Sequence, residues 1–273
     1  MVPPNGITVS QLDRLIGTPD CPDLFDICLD DDFQADPFLI PGSRRHPHTD
    51  IAGIKARLTP GHRAVIICQK GRKLSQGVAA WLSGDGIRAE YLEGGMEAWR
   101  DTVDLMRIPA SALPPANAGH TLWVTRHRPK IDRIACPWLI RRFVDPGARF
   151  LFVSPAEVAN VADRFGATAF DVEGVFWTHR GDTCTFDTMS AEFHLTSVAL
   201  ARLSLVVRGA DTNRHDLHPA AAGLLAVSVG LSRQFRNDHE QLQAGMAIYD
   251  ALYRWVRDGY DEGHDWPVTR DAR

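Results

Sequence analysis

The chain has 273 residues, of which 44% are hydrophobic and 23% are charged, a composition typical of a globular protein large enough for two domains. Its formal net charge of −4 at pH 7 excludes a general attraction to nucleic acids or acidic membranes, so any basic surface must be local. Residues 1–6 lack the basic and apolar regions of a signal peptide, and the longest apolar run, residues 220–231, is too short to span a bilayer. We therefore expect a cytoplasmic protein without a membrane partner.

The cysteines argue against a disulfide-stabilised fold. There are five in the chain, and only Cys21 and Cys28 are close in sequence. This spacing indicates neither a disulfide framework nor a Cys-x-x-Cys motif. We expect free thiols, metal ligands or core residues.

The first half alternates between predicted helices and strands. In chain order these are a helix over residues 10–16, a strand over 24–28, an irregular acidic stretch over 29–36, a helix over 49–57, a strand over 64–67, a helix over 74–82 and a strand over 89–92. Strands separated by short helices predict a parallel sheet, whose functional sites lie at the carboxyl ends of the strands.

Cys68 occupies such a position. It follows the apolar strand at 64–67 and opens a basic segment, here called the Cys68 loop, that continues through Gln69, Lys70, Gly71, Arg72 and Lys73. Backbone N–H groups, the positive end of the next helix and the three cations would stabilise a thiolate there. Cys68 is therefore a candidate nucleophile, the alternative being a buried cysteine in an inactive scaffold.

Residues 7–100 resemble the rhodanese-like family. Four ordered motifs carry the resemblance: the strand with Asp26, the turn Ile40-Pro41-Gly42, the Cys68 loop, and Leu92-Glu93-Gly94-Gly95-Met96-Glu97-Ala98-Trp99. It implies a domain that carries persulfide sulfur on Cys68, taken from an anionic donor such as thiosulfate and passed to a thiol or cyanide acceptor. It also implies that the N–H groups from Gln69 to Lys73 form the binding cradle.

The Cys68 loop departs from that family in two ways. The family commonly ends the loop with Arg and Ser, whereas this chain has Lys73 and Leu74. Phosphatase-type members need an arginine six positions after the cysteine, where Leu74 stands here. These differences leave the strength of donor binding open and disfavour phosphatase chemistry.

A segment rich in proline and alanine separates the two halves. Residues 106–119 contain three prolines among small residues, which predicts an extended linker. We therefore predict domains over residues 1–105 and 120–273.

The second half is predicted to be mixed α/β and to become mainly helical. Strands are predicted over 121–125, 149–153 and 168–174, and helices over 155–165, from 192 to 211, over 219–231 and over 238–256. Between residues 126 and 142 there are six basic residues and one acidic residue, so this segment should attract anions. Its helix begins either at Pro137, with the Cys136 thiol at its amino end, or at Ile131, with Asp132 one turn from Cys136.

Three overlapping sites are candidates in this half. The first combines Asp132, Arg133, Cys136, Arg180 and Asp182; the second is a zinc or other divalent-metal site at His179, Cys184, Glu192 and His194; the third is an oxyanion site at Arg126, Arg133 and Arg180. The spacing matches no compact zinc motif. The alternative is that Cys184 is a core residue, the histidines lie at the surface and the arginines form ordinary salt bridges.

Residues 120–259 resemble the ChrB carboxyl-terminal family of chromate-resistance proteins. The segments that carry the resemblance are IDRIACPWLI at 131–140, FDVEG at 170–174, HRGDTCTFD at 179–187, VRGAD at 207–211 and YDALY at 249–253. The resemblance implies a role in chromate resistance, but it transfers no catalytic residue.

Two functions from different classes follow. One is an enzyme that passes sulfur from Cys68 to a thiol, oxyanion or metal held by the second domain, with Cys136, His179 and Cys184 as candidates. The other is a sensor of chromate or of a metal. Direct DNA binding is disfavoured by the net charge and by the lack of a convincing helix-turn-helix pattern.

Overall fold

The first half of the chain is built around a five-stranded parallel sheet. The computed structural model describes residues 5–117 and 119–263. The first four residues of the segment examined for a signal peptide lie outside these ranges, as do the last ten residues of the second predicted domain. The strand order is β1 (Gly6–Ile7), β6 (Ala89–Leu92), β5 (Ala64–Ile67), β2 (Asp23–Asp26) and β4 (Ser43–Arg45). All neighbouring strands are parallel, which confirms the predicted sheet.

Five helices flank this sheet. They are α1 (Val9–Asp13), α2 (Asp30–Ala35), α3 (Ile51–Ala56), α4 (Lys73–Gly84) and α5 (Gly95–Asp101). The central strand β5 is apolar and buried at every position, as expected for a parallel strand covered on both faces.

Two local differences from the sequence predictions have clear causes. The acidic stretch predicted to be irregular forms α2, whose first turn contains Asp30, Asp31 and Asp32, where carboxylates interact favourably with the helix dipole. The predicted strand over 24–28 ends at Asp26, because an oxygen of that carboxylate accepts a hydrogen bond from the Cys28 N–H at 2.9 Å and turns the chain.

The segment predicted to be a linker pairs with both halves. Its strand β7 (Ile108–Pro109) is antiparallel to β3 (Phe38–Leu39), and β8 (Ala116–Asn117) is antiparallel to β9 (His120–Arg126). A single 3-10 turn at Ala110–Ala112 lies between them. The connection is therefore held at each end by strand pairing.

The second half starts with strands and continues as helices, as predicted. Strand β9 is flanked by two parallel neighbours, β10 (Arg149–Val153) and β11 (Thr168–Ala169). The helices are α6 (Asp132–Leu139), α7 (Val158–Phe165), α8 (Thr185–Glu192), α9 (Val198–Asp211), α10 (Ala220–Gln234) and α11 (Asp238–Asp258). No helix within the described residues is both long and apolar enough to cross a membrane.

The second of the two predicted starts for helix α6 is closer to the structure. The helix begins at Asp132, contains Pro137 in its interior, and continues into a π-helical turn at Ile140–Val144. This start places Asp132 one turn before Cys136, on the same helix face.

The two halves share one apolar core. A continuous buried cluster contains Val65 and Trp99 of the first half together with Trp138, Phe143 and Tyr253 of the second. A separate cluster fills the opposite face of the parallel sheet; its members include Phe25, Ile66, Cys68, Val78 and Leu82. Because neighbouring side chains of a strand point to opposite faces, the Cys68 side chain lies on the face away from the second half.

Candidate functional sites

The Cys68 loop lies where the central strand of the parallel sheet ends. Cys68 directly follows β5, and its Sγ is 3.1 Å from the Oγ of Ser75 in the first turn of α4. Ser75 is fully buried, and Cys68 is 5% exposed, so this residue is almost completely covered. The strand fixes the position of the sulfur and the helix supplies a hydroxyl to it.

Main-chain contacts hold the loop against the turn that follows β6. The carbonyl oxygens of Cys68 and Gln69 accept hydrogen bonds from the N–H groups of Met96 and Glu97 at 3.1 and 3.0 Å. Gly95 has a φ of +61°, and a Cβ there would collide with the Cys68 carbonyl oxygen. The close approach therefore requires glycine at position 95.

The basic side chains of the loop face solvent. Lys70, Arg72 and Lys73 are exposed, and only Lys70 has an acidic neighbour in the described part of the chain, Glu97 at 3.9 Å. Arg72 and Lys73 therefore carry charge that is free to attract an anion toward the loop.

The other cysteines are less suited to nucleophilic chemistry. Burial raises the pKa of Cys21 to about 12. Burial, followed by the charge of Asp26, raises the pKa of Cys28 far above its ordinary value. Cys136 and Cys184 are both 0% exposed, and burial raises the pKa of each thiol strongly. Burial therefore argues against Cys136 as a second activated thiol, and it keeps Cys136 and Cys184 from contact with solvent.

A second site is formed by three aspartates and a histidine, here called the Asp–His cluster. Asp132 begins α6, Asp171 follows β11, His179 lies in the loop before α8, and Asp211 ends α9. The Nε2 atom of His179 is 3.2 Å from Asp211 Oδ2 and 3.5 Å from both Asp132 Oδ2 and Asp171 Oδ1. Four distant segments thus bring their polar side chains to one point.

Burial makes this cluster electrostatically unusual. The Asp132 side chain is 0% exposed, and burial raises the pKa of its carboxyl to about 7. The carboxylates of Asp132, Asp171 and Asp211 lie around the partly exposed imidazole and raise the pKa of His179 to about 12. Oδ2 of Asp132 accepts a hydrogen bond from the Thr185 N–H at 2.5 Å, whereas its buried Oδ1 has no hydrogen-bond partner among the described residues.

The backbone is strained at two positions in or beside the cluster. Ile131, directly before Asp132, has a φ of +40°, and Asp171 has a φ of +52°. A positive φ is costly for a β-branched residue such as isoleucine, and strain of this kind is concentrated at functional sites. The Tyr249 hydroxyl donates a hydrogen bond to the Ile131 carbonyl oxygen at 3.1 Å and helps to hold this conformation.

The predicted oxyanion site is not assembled. Arg126 and Arg133 both pair with Asp171 Oδ2 at 3.2 Å, whereas Arg180 pairs with Glu192. The guanidinium groups are thus committed to carboxylates, which corrects the prediction that these three arginines converge on a free anion.

The predicted metal ligands are not brought together either. Within residues 5–117 and 119–263, His179 joins Asp132 and Asp211 in the one group of three or more metal-binding side chains whose ligand atoms lie within 4.8 Å of one another. Cys184 instead caps α8, Glu192 pairs with Arg180, and His194 is exposed. The four side chains of the predicted set, His179, Cys184, Glu192 and His194, therefore do not gather at one point among the described residues.

The first candidate set for the second half is also only partly assembled. Asp132 and Arg133 both reach the region of Asp171, whereas Cys136 is buried and Asp182 is exposed. Sequence reasoning missed Asp171 and Asp211 as site residues. Both lie within segments that carry the family resemblance, FDVEG and VRGAD, and that was the signal available.

Part of the chain matches a known protein family, and most of it matches one characterised relative. Residues 123–256 match the profile described as "ChrB, C-terminal domain". Protein ChrB of Cupriavidus metallidurans is 29% identical over 217 residues; the match covers 75% of this chain and 65% of that protein, somewhat less than two thirds of its length.

Two solved structures resemble the N-terminal region. A rhodanese-like domain protein from Staphylococcus aureus has 25% identity and a TM-score of 0.32, covering 37% of this chain and 95% of that one. A rhodanese-related protein from Thermoplasma volcanium has 18% identity and a TM-score of 0.31, covering 36% and 91%. Residues 123–256 are thus similar to the ChrB C-terminal domain, the chain has a ChrB homologue, and its N-terminal region has rhodanese-like structural neighbours.

Proposed function

We propose that the protein acts in chromate resistance in the cytoplasm and that its first half is a sulfurtransferase that carries persulfide sulfur on Cys68. The observation that carries the proposal is the position of Cys68 Sγ, at the end of the central strand and 3.1 Å from the Ser75 hydroxyl. The ChrB-like second half supports the link to chromate resistance.

The reaction uses only a donor, Cys68 and an acceptor thiol. The Cys68 thiolate attacks the outer sulfur of thiosulfate, a new S–S bond forms, and the bond within thiosulfate breaks so that its electron pair leaves with sulfite. An acceptor thiol loses its proton to solvent, and its sulfur attacks the outer sulfur of the persulfide. The acceptor leaves as a persulfide, and the electron pair returns to Cys68 Sγ.

The surroundings of Cys68 suit the first step. Arg72 and Lys73 would draw a doubly charged donor toward the loop. The Ser75 hydroxyl, at 3.1 Å, can donate a hydrogen bond to the sulfur while it carries negative charge. The N–H groups of the Cys68 loop would cradle the leaving sulfite, as in other oxyanion-binding turns.

The acceptor comes from outside the chain. Cys136 and Cys184 are fully buried, and the Cys68 side chain belongs to the apolar cluster on the sheet face opposite the second half. A small thiol in solution, or a thiol of another protein, can approach the exposed loop directly.

Sulfur transfer can be tested on the full-length protein. After incubation with thiosulfate, mass spectrometry of the intact chain and of the Cys68 peptide should detect the mass of one added sulfur, and sulfite should be released when a thiol is supplied. Cys68→Ser should abolish both signals, whereas Cys21→Ser, at a thiol outside the Cys68 loop, should retain them. A wild-type protein that forms no adduct and releases no sulfite would overturn the enzymatic proposal.

The link to chromate can be tested separately. In a chromate-sensitive host, expression of the protein should raise the chromate concentration that permits growth. If Cys68→Ser, expressed at the same level, protects as well as the wild type, sulfur transfer is not the basis of resistance.

A second candidate function, a chromate or metal sensor, is favoured by the Asp–His cluster. Coordination at a point where four segments meet could alter their packing and change a regulatory contact. A gel-shift at physiological salt with the promoter of the protein's own operon tests the DNA-binding form of this idea. A retarded band that depends on chromate or metal would support it, and the lack of any retarded band would remove that form.

A further inference from the structure

We infer that the Asp–His cluster binds a divalent transition-metal ion through His179 Nε2 and one carboxylate oxygen each from Asp132 and Asp211. The three ligand atoms lie within 4.8 Å of one another. Asp171 would act as a neighbour that fixes the site, since its carboxylate is already engaged by Arg126 and Arg133.

The distances fit coordination better than hydrogen bonding. Two ligands held about 2.1 Å from an ion at a tetrahedral angle are about 3.4 Å apart. His179 Nε2 is 3.2 Å from Asp211 Oδ2 and 3.5 Å from Asp132 Oδ2. The longer of these separations exceeds that of an ordinary N–H···O hydrogen bond.

If His179 only donated a hydrogen bond, some of the surrounding carboxylates would lack a good partner. A single Nε2–H group faces three carboxylates and can bond well to only one of them. Arg126 and Arg133 pair with Asp171, whereas the close ion-pair partner of Asp132 and Asp211 among the described residues is His179. A divalent ion would balance both carboxylates at once.

An independent observation comes from the buried side of the cluster. Asp132 is 0% exposed, and its Oδ1 has no hydrogen-bond partner in the described part of the chain. A buried carboxylate oxygen without a partner is costly, and such groups are normally paired or coordinate a metal. The Thr185 N–H donates to Oδ2 at 2.5 Å, the same oxygen that lies 3.5 Å from His179, and would hold this carboxylate in place in the way that outer contacts orient metal-binding carboxylates.

The ligand set indicates which ions fit. One imidazole and two carboxylates suit ions of intermediate hardness such as Zn²⁺ and Mn²⁺. Ca²⁺ takes six to eight oxygen ligands, and Cu⁺ takes thiolates, which this set lacks. His179 is 39% exposed and Asp211 is 18% exposed, so an ion can enter from solvent while Asp132 forms the floor of the site.

The test is direct binding of Zn²⁺ and Mn²⁺ to the full-length, chelator-treated protein. Titration calorimetry should find one ion per chain, and Mn²⁺ should give a bound electron paramagnetic resonance signal that competes with Zn²⁺. His179→Ala and Asp211→Asn should each weaken binding by roughly tenfold or more. His194→Ala and Asp182→Asn, at exposed residues of the same region, should leave binding unchanged.

Two results would overturn the inference. One is wild-type protein that binds neither ion up to millimolar concentration. The other is equal loss of affinity in His194→Ala and His179→Ala, which would assign binding to general surface charge. Asp211→Asn preserves the shape of a partly exposed side chain, and its unchanged circular dichroism and melting in chelator would separate loss of a ligand from loss of the fold.

Discussion

Phe143 packs directly against Gly17, and this contact joins the second half of the chain to the first. Gly17 has a φ of +78°, and a Cβ at this position would overlap the Phe143 ring. In another turn of the first half, the N–H of Gly42 donates a hydrogen bond to the Phe143 carbonyl oxygen. One aromatic residue is therefore fixed by its ring and by its main chain to two turns of the other half.

Replacing Gly17 should destabilise the protein through this contact. We expect Gly17→Ala to lower the free energy of unfolding by about 2–4 kcal/mol, from positive-φ strain together with overpacking. Gly61→Ala is the matched control, because Gly61 has a φ of +81° but open space around its Cα. Urea denaturation of both variants should find a cost of about 1 kcal/mol for the control. Equal costs would show that contact with Phe143 adds nothing.

Removing the Ser75 hydroxyl should slow the chemistry of Cys68. Ser75 Oγ is 3.1 Å from Cys68 Sγ and is the side-chain group that can stabilise charge on the sulfur. We expect Ser75→Ala to reduce the rate of alkylation of Cys68 by iodoacetamide several-fold, at unchanged melting temperature. Ser83→Ala, near the end of the same helix, should react like the wild type. A rate unaffected by Ser75→Ala would exclude a role for the hydroxyl.

The loop cations should act mainly on capture of the donor. In Arg72→Ala/Lys73→Ala we expect the KM for thiosulfate to rise by about tenfold at low salt, with a smaller change in kcat, because two charges that attract the anion are lost. The difference from the wild type should shrink as salt is added. Lys130→Ala, at an exposed cation of the second half, is the control. A KM that is equally high in both variants would indicate a general charge effect.

Asp250 should be important for stability. Its carboxylate accepts two hydrogen bonds from Arg142, both at 2.7 Å, and one from Trp138 Nε1 at 2.8 Å. We expect Asp250→Ala to cost about 2–4 kcal/mol in unfolding free energy, since a largely buried guanidinium and an indole N–H lose their partner. Asp258→Ala also removes a carboxylate paired with arginine, that of Arg254 and Arg257, but Asp258 is exposed, so this change should cost less than about 1 kcal/mol. A similar cost for the two changes would contradict this ranking.

Sequence patterns predicted the parts of this fold that depend on local periodicity. The apolar run of β5, with Cys68 at its end and a helix after it, is the clearest case, because strand burial and loop charge are both visible in consecutive residues. The acidic helix α2 was missed because it buries no residue and thus has no apolar face to detect. The ion pairs of Arg126 and Arg133 with Asp171 were equally invisible, since they join residues about 40 positions apart.

The Asp–His cluster could not have been derived from spacing. Asp132 and Asp211 are 79 residues apart, and they meet only because the start of α6 lies beside the end of α9. The predicted ligands around His179 were chosen from within one short segment, where Cys184 and His194 are near in sequence but do not join the group of ligand atoms around His179. Long-range packing, rather than local propensity, determines which carboxylates face the imidazole.

The shared core limits how the protein can be dissected. A fragment that stops near residue 105 would lose Phe143 and Tyr253 from beside Gly17 and would present apolar residues of the common cluster to water. Such a fragment should aggregate or bind other chains nonspecifically, so an inactive N-terminal fragment would not be informative about Cys68. Cysteine chemistry in this protein is best measured in the intact chain, where each half keeps the apolar residues of the other out of water.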